Sequence, residues 1–313
     1  MSRKHGRILV IRGGAIGDFV LTLPALAALR RQFPQAHLEV LGYPHSAQLA
    51  LAGAVVDAVR PIEAPALAGF FARRGTLAEH LRDYFSDFDI IVSYLFDPDQ
   101  IFQENVARCS AAQFIVGPHR ARDGDLIHAT KIYLQPLNRL AIFEADEVPR
   151  LPVPAAAEGR LPPGAGQPLA LHPGSGSERK NWPEAHWREL LVRLLAETSW
   201  HLLLVGGEAE GDRLERLAGA LPAERFTLAR SLPLAELAGL LRHCGALVGH
   251  DSGITHLAAA LGLPCVVLWG ETAEEVWGPR GERLTIVRGG KGLSTISAER
   301  VWKELHSLIA APV

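Results

Sequence analysis

The chain is poor in cysteine: Cys109, Cys244 and Cys265 lie far apart and form no C-x-x-C pair. That argues against a disulfide framework or a compact thiolate metal site. It fits reduced thiols in a cytoplasmic protein, with Cys265 inside an apolar strand. No run of about 18 apolar residues occurs, so no membrane-spanning helix is expected. The amino terminus, MSRKHGRILVIRGG, reaches Arg12 after a short apolar run, too little for a secretory signal. A cytoplasmic location is expected, with peripheral contact at the inner face of the cytoplasmic membrane left open. Neither sign of charge dominates: 32 basic and 34 acidic residues give a formal net charge of −2. No general pull toward nucleic acid follows, and an anionic partner would have to meet a local patch.

Several chemical signatures are also missing. A dinucleotide fingerprint needs G-x-G-x-x-G, but the first glycine turn has glycines at 13, 14 and 17, and the second strand ends Leu41-Gly42-Tyr43 without a ribose-binding acid. Hydride transfer is therefore disfavoured. The spacing Gly206 to Gly211 imitates a Walker A loop, yet Asp212-Arg213 stands where Lys and a hydroxyl residue are required. Ser252 and His256 sit four apart, but no G-x-S-x-G elbow surrounds Ser252, which speaks against a hydrolase triad. His172, His250 and His256 lack the compact spacing of a metal site and are read as structural or phosphate-facing.

What the chain does have is length and alternation. Its 313 residues, 48% hydrophobic and 21% charged, suffice for two globular domains with separate cores. Short apolar segments at 7–12, 37–41, 57–61, 89–94 and 113–117 alternate with helical or loop stretches. The pattern restarts at 169–172 and continues at 201–205, 226–228, 246–248, 265–268 and 284–287. Such alternation argues for mostly parallel sheets covered on both faces. Between them, LPVPAAAEGRLPPGAGQP reads as a linker. The expected division is a domain at 1–155, a linker at 156–168 and a domain at 169–297. The last helix, 298–310, carries Val301, Leu305, Leu308 and Ile309 on one side that must be buried.

The stretch 249–270, GHDSGITHLAAALGLPCVVLWG, reads as strand end, turn, helix and strand. Unpaired amides at that helix start would sit at the carboxyl end of a buried strand, where open α/β sheets hold anions. Ser252 and Gly253 allow close approach, and Asp251 offers a carboxylate for sugar hydroxyls. From this stretch alone the helix-cap reading comes first, because caps occur in every α/β protein. A second candidate is the loop of 172–183, HPGSGSERKNWP, with small residues to cradle phosphate and Lys180 to neutralise a leaving diphosphate. Glu208, after the strand 201–205, could accept hydrogen bonds from a ribose diol, whereas Glu210 reads as a solvated helix-start charge. In the turn Gly13 to Asp18, Asp18 is either a general base or an N-cap.

These blocks, in this order, resemble the family 9 glycosyltransferases, the ADP-heptose:lipopolysaccharide heptosyltransferases. The resemblance is carried by Gly17-Asp18 with Leu23-Pro24-Ala25, and by His172-Pro173-Gly174-Ser175 with Lys180 and Trp182-Pro183. Gly206-Gly207-Glu208, Asp251-Ser252-Gly253 with His256-Leu257, and Gly270-Glu271-Thr272 with Trp277-Gly278-Pro279 complete it. It implies an α/β GT-B fold, two Rossmann-like doubly wound domains facing a central cleft, with donor on the second domain and acceptor on the first. It further implies that the last helix crosses back to the first domain. By position, Asp18 is the implied base. Ser175 and Lys180 meet the donor diphosphate, Glu208 the adenosine ribose and Asp251 the heptose hydroxyls. The Ser252 and Gly253 amides face phosphate, and Gly176 and His256 complete the substrate-binding set. Inverting displacement then needs no metal and no cofactor.

The expected reaction is heptose transfer from ADP-heptose to a lipopolysaccharide-core or related glycan acceptor. Arg30, Arg31, Arg73, Arg74, Arg120 and Arg122 are either local attraction for an anionic lipid acceptor or ordinary solvated charges. Gly176, Glu271 and the segment 93–99 depart from the family pattern, so the donor class is better supported than the acceptor. The alternatives are a GT-B enzyme using another nucleotide sugar, such as a UDP-sugar transferase or an epimerase of similar architecture, and a catalytically silent nucleotide-sugar-binding protein.

Overall fold

The computed structural model describes residues 6–152, 161, 166–219, 221–290 and 292–310. The chain divides into two compact units, residues 1–147 and 148–313.

The first unit is built on β1 (Arg7–Arg12), β2 (His37–Gly42), β3 (Ala58–Pro61), β4 (Ile90–Ser93) and β5 (Gln113–Val116). They form one parallel sheet in the order β3-β2-β1-β4-β5. Its central strand β1 is apolar without interruption because both of its faces are covered: Ile8 to Ile11 are each 2% exposed or less. The helical segment expected to follow the first glycine turn is broken in two, Ile16–Val20 and Leu23–Gln32. Pro24, at the first turn of the second piece, has no N–H to continue a helix from upstream, so the chain restarts with Thr22 as the new cap.

The second unit carries β6 (Leu169–Leu171), β7 (Leu202–Gly206), β8 (Phe226–Arg230), β9 (Ala246–His250), β10 (Cys265–Trp269) and β11 (Leu284–Arg288). All pairings are parallel, in the order β11-β10-β9-β6-β7-β8. Counted from its own first strand this is the doubly wound 3-2-1-4-5-6 order. Both sheets therefore reverse direction beside their first strand, between β1 and β4 and between β6 and β9, which are the positions where such sheets bind ligands.

Two expectations need correction. The helix Ala298–Ala310 packs on the helix Glu184–Glu197 and on β10 and β11, all in the second unit, instead of crossing to the first. Its apolar side explains this. Val301, Trp302 and Leu305 join the buried cluster of Trp182, Trp187, Leu194 and Leu268, while Arg193 lies 4.8 Å over the Trp302 ring and pairs with Glu299. The boundary also falls earlier than residue 155. Leu151 N–H donates to Ala260 O at 2.8 Å, so the chain is already tied to the second unit there. Of the linker expected at 156–168, residues 156–160 and 162–165 lie outside the described residues.

Candidate functional site

In the second unit the switch point brings together the ends of β6 and β9. The helix Gly253–Ala260 opens directly after β9, and Ser252 is its N-cap, its Oγ accepting from Thr255 N at 3.3 Å. The cap and ligand readings are thus compatible: Ser252 satisfies one amide, while Gly253 and Ile254 fall in the first turn, where N–H groups have no acceptor within the helix. Thr255 Oγ1 donates to His250 O at 2.6 Å and anchors the helix start to the strand end.

Asp251 is the hub. Its Oδ2 lies 2.6 Å from Lys180 Nζ and accepts from Thr272 Oγ1 at 2.6 Å, so groups following β6, β9 and β10 meet on one carboxylate oxygen. The Asp251 side chain is 11% exposed and that of Lys180 37%. Lys180 ends the single turn Glu178–Lys180. Ser175 Oγ lies 2.7 Å from Asn181 Oδ1 and 2.9 Å from Ser177 O, which ties the hydroxyl to its own loop. Gly176 is exposed with φ of +74°, a left-handed conformation, so glycine is the residue this turn tolerates best. His256 is buried in the second turn of the helix.

Glu208 is exposed, as a ribose ligand at a strand end can be, but Glu210 is not the solvated charge expected from the sequence. Its carboxylate turns inward. Oε2 accepts from Gly207 N at 2.5 Å, Oε1 is 3.7 Å from His172 Nε2, and the side chain occupies the space that a Cβ on Gly174 would need. The three-residue offset from Gly207 to Glu210, half of a capping box, is the signal that would have found it.

His172 and His250 are both buried. Burial of the His172 ring pushes its pKa down to about 4, and burial, before other influences, pushes that of His250 down to about 3. Each is neutral in the fold, whereas the unfolded imidazole has a pKa near 6.5. These depressed values contribute no penalty above about pH 6.5. As pH falls from there toward about 4, the unfolded chain takes up protons that the native chain refuses, and stability drops. Denaturant melts across that window should show a falling midpoint, and replacing His172 by Gln should flatten the decline. An unchanged slope would remove His172 as a contributor. Among the described residues, no group of three or more His, Cys, Asp or Glu is arranged to hold a metal ion.

In the first unit Asp18 is the third residue of the helix Ile16–Val20, whose N-cap is Ala15, so it lies in the helix and is not itself the cap. Its Oδ2 accepts from Ala15 N at 3.1 Å and its side chain remains 19% exposed at the carboxyl end of β1. Gly14, with φ of +97°, lets the turn close around this carboxylate. Sequence reasoning missed Arg12. Though 2% exposed, it donates to His119 O at 2.6 Å and to Asp18 O at 3.0 Å, its guanidinium lies 4.5 Å over the Tyr133 ring, and its NH2 is 3.8 Å from Asp18 Oδ1. Of the six arginines considered as lipid-facing charge, Arg30 is engaged with Ala36 O and Asp57, Arg31 with Glu144 O and Arg73 with Asp99.

A parallel sheet in Rossmann order in each unit, with polar groups gathered at the carboxyl ends of its strands, places the protein in the GT-B class of two-domain α/β folds. More particularly, the chain belongs to glycosyltransferase family 9: residues 149–305, just over half of its 313 residues, match the model of "Glycosyltransferase family 9 (heptosyltransferase)". It is 42% identical over 111 residues to lipopolysaccharide heptosyltransferase 1 of Pseudomonas aeruginosa, covering 35% of this chain and 30% of the relative. To lipopolysaccharide heptosyltransferase 1 of Escherichia coli K12 it is 33% identical over 153 residues, covering 47% of this chain and 46% of the relative. The matched stretches span less than half the length of these curated relatives. Among solved structures, a family 9 glycosyl transferase from Veillonella parvula superposes with a TM-score of 0.79 at 18% identity, covering 99% of this chain and 98% of that one. The E. coli heptosyltransferase WaaC with ADP superposes with a TM-score of 0.75 at 22% identity, covering 96% and 99%. At these identities the likeness is one of fold.

Proposed function

We propose that the protein is an inverting glycosyltransferase that moves heptose from ADP-heptose to a lipopolysaccharide-core or related glycan acceptor. The observation that carries this reading is the meeting of Lys180, Asp251 and Thr272 beside a helix start at the switch point of the second sheet, in a family 9 chain. The positive amide end and the Lys180 ammonium suit a diphosphate, and the Asp251 carboxylate suits sugar hydroxyls. Ser175 and Gly176 line the same loop, Glu208 serves the ribose, and His256 backs the helix start. One relative of this fold, the E. coli heptosyltransferase WaaC, was solved both with ADP and with ADP-2-deoxy-2-fluoro heptose, which supports an ADP-linked donor.

In the proposed reaction Asp18 takes the proton from the acceptor hydroxyl as its oxygen attacks the anomeric carbon. The carbon–oxygen bond to the diphosphate breaks on the opposite side, and the configuration inverts. Negative charge grows on the leaving ADP, where Lys180 and the amides of Ser252 and Gly253 stabilise it more than in the ground state. On this reading the enzyme works in the cytoplasm, and a lipid-linked acceptor would bring it into peripheral contact with the inner membrane face. Among the described residues, no helix is long and apolar enough to cross a membrane.

Calorimetry with ADP-heptose, other ADP-sugars and UDP-sugars tests the donor. ADP-heptose should bind most tightly. Preference for a UDP donor would overturn the donor assignment and favour the other nucleotide-sugar chemistry. Binding without turnover of any acceptor would leave the silent-binder reading.

A further inference from the structure

The loop that carries Ser175, Gly176 and Lys180 leaves β6 at its beginning and enters the helix Glu184–Glu197 at its end. Such a loop of small and polar residues has no core of its own, and its shape must be set from below. Directly beneath it is His250, the last residue of β9, with 0% of its surface exposed. Its ring touches both ends of the loop: Trp182 N–H donates to Nε2 at 2.9 Å, and Nδ1 lies 3.2 Å from Gly174 O. The partners dictate the tautomer. A backbone N–H can only donate, so Nε2 must be unprotonated; a carbonyl can only accept, so Nδ1 must carry the proton.

The surroundings hold the imidazole in that pose. Trp187 packs edge-on against it at 5.6 Å with an interplanar angle of 84°, and Trp182 is pinned through its indole N–H to Ile296 O at 2.8 Å. The His250 carbonyl accepts from Thr255 Oγ1 at 2.6 Å, which secures the helix start on the other side of the site. His250 thus joins the two structures proposed to meet the diphosphate, one through its ring and one through its backbone.

We propose that His250 is the positioning residue of the donor site: as the neutral Nδ1–H tautomer it clamps Gly174 to Trp182 and so sets the place from which Lys180 reaches Asp251 and the donor diphosphate. Nothing about this role involves contact with substrate. It rests on the donor reading of the second unit. No other side chain supplies one donor and one acceptor on a rigid ring at these two positions. Asn retains a donor near Nδ1 and loses the acceptor; Gln places its carbonyl near Nε2 and loses the donor; Leu fills the space and makes neither bond.

The test uses the full chain with ADP as the probe. Titration calorimetry should show His250→Leu binding ADP about tenfold or more weakly than wild type, with His250→Asn and His250→Gln between the two, as expected when one or both buried hydrogen bonds are lost. A space-filling role would make Leu the mildest change, and that order, or equal affinity in all four proteins, overturns the proposal. Nitrogen NMR of the wild-type imidazole gives an answer that does not depend on any variant folding. The expected signature is a protonated Nδ1 and an unprotonated Nε2, unchanged between about pH 5 and 8. An Nε2–H tautomer, or an imidazole titrating within that range, overturns it. Wild type that fails to bind ADP overturns the donor reading and this inference with it. Wild type that binds ADP beside an unaffected Leu variant overturns this inference alone.

Discussion

Asp18→Asn is expected to remove heptosyl transfer while leaving ADP affinity at its wild-type strength. The substitution keeps the shape of the side chain and an oxygen that can still accept from Ala15 N, so the start of the helix Ile16–Val20 is retained. Arg12, buried beside it, keeps its acceptors His119 O and Asp18 O, so its donors stay bonded although the carboxylate 3.8 Å from it becomes a neutral amide. What disappears is the capacity to take a proton. A positioned general base contributes roughly 10² to 10⁴ in rate, so the turnover number at saturating substrates should fall by at least about a hundredfold. The donor groups all lie in the second unit, and for that reason calorimetry with ADP should be unmoved. Unchanged turnover in a folded Asp18→Asn protein would sink the assignment of the base. Lost ADP affinity would show instead that Asp18 serves the donor.

The strands were the most legible part of this molecule. Every strand of both described sheets coincides, within one or two residues at each end, with an apolar run picked from the sequence. That works because β10 and the middle of strands such as β1 and β9 are covered on both faces and spell their burial as apolar letters. The order of strands is not written that way. Alternation implies parallel sheets, but only the structure shows that β6 lies beside β9 and that the loops after them form one switch point. The last helix was misplaced for a similar reason. Its apolar stripe announces a partner without naming it, and the choice was made by Trp182, Trp187 and Arg193, far upstream in the chain.

Site residues followed the same division. Asp251, Ser252 and Lys180 stand in two local motifs picked from the sequence, and the structure brings Lys180 to Asp251 beside the helix cap Ser252. Glu208 and Glu210 stand two apart in one short turn, and the sequence cannot tell which side faces inward; the glycines at 174 and 207 make room for Glu210. Arg12 and His250 were harder still. Each sits at the end of an apolar strand, where an isolated polar residue ordinarily marks the exit to solvent. Both act through main-chain atoms distant in sequence: His119 O for Arg12, Gly174 O and Trp182 N for His250.

Lys180→Ala is expected to weaken ADP binding and to slow transfer further at saturating donor, without lowering the melting temperature measurably. The three expectations have one origin. The Lys180 side chain is 37% exposed, so its pair with Asp251, although 2.6 Å long, is solvent-screened and contributes little to folding. Asp251 also keeps Thr272 Oγ1 as a donor after Lys180 is removed, so its carboxylate is not stranded. Toward a diphosphate the balance differs, because the ammonium then faces several anionic oxygens beside a helix start. A charge-assisted hydrogen bond of about 1.5–3 kcal/mol corresponds to roughly ten- to a hundredfold in affinity. The additional fall in turnover number follows if Lys180 meets charge that grows as the bond to ADP breaks, since only an interaction stronger in the transition state changes that quantity. Lys180→Arg should recover part of the affinity and less of the rate: the guanidinium keeps the charge, but its longer planar head cannot take the ammonium's place. A weaker ADP complex with unchanged turnover would limit Lys180 to ground-state binding. No effect on either quantity would remove it from the site and leave the helix-start amides as the candidate stabilisers of the leaving diphosphate.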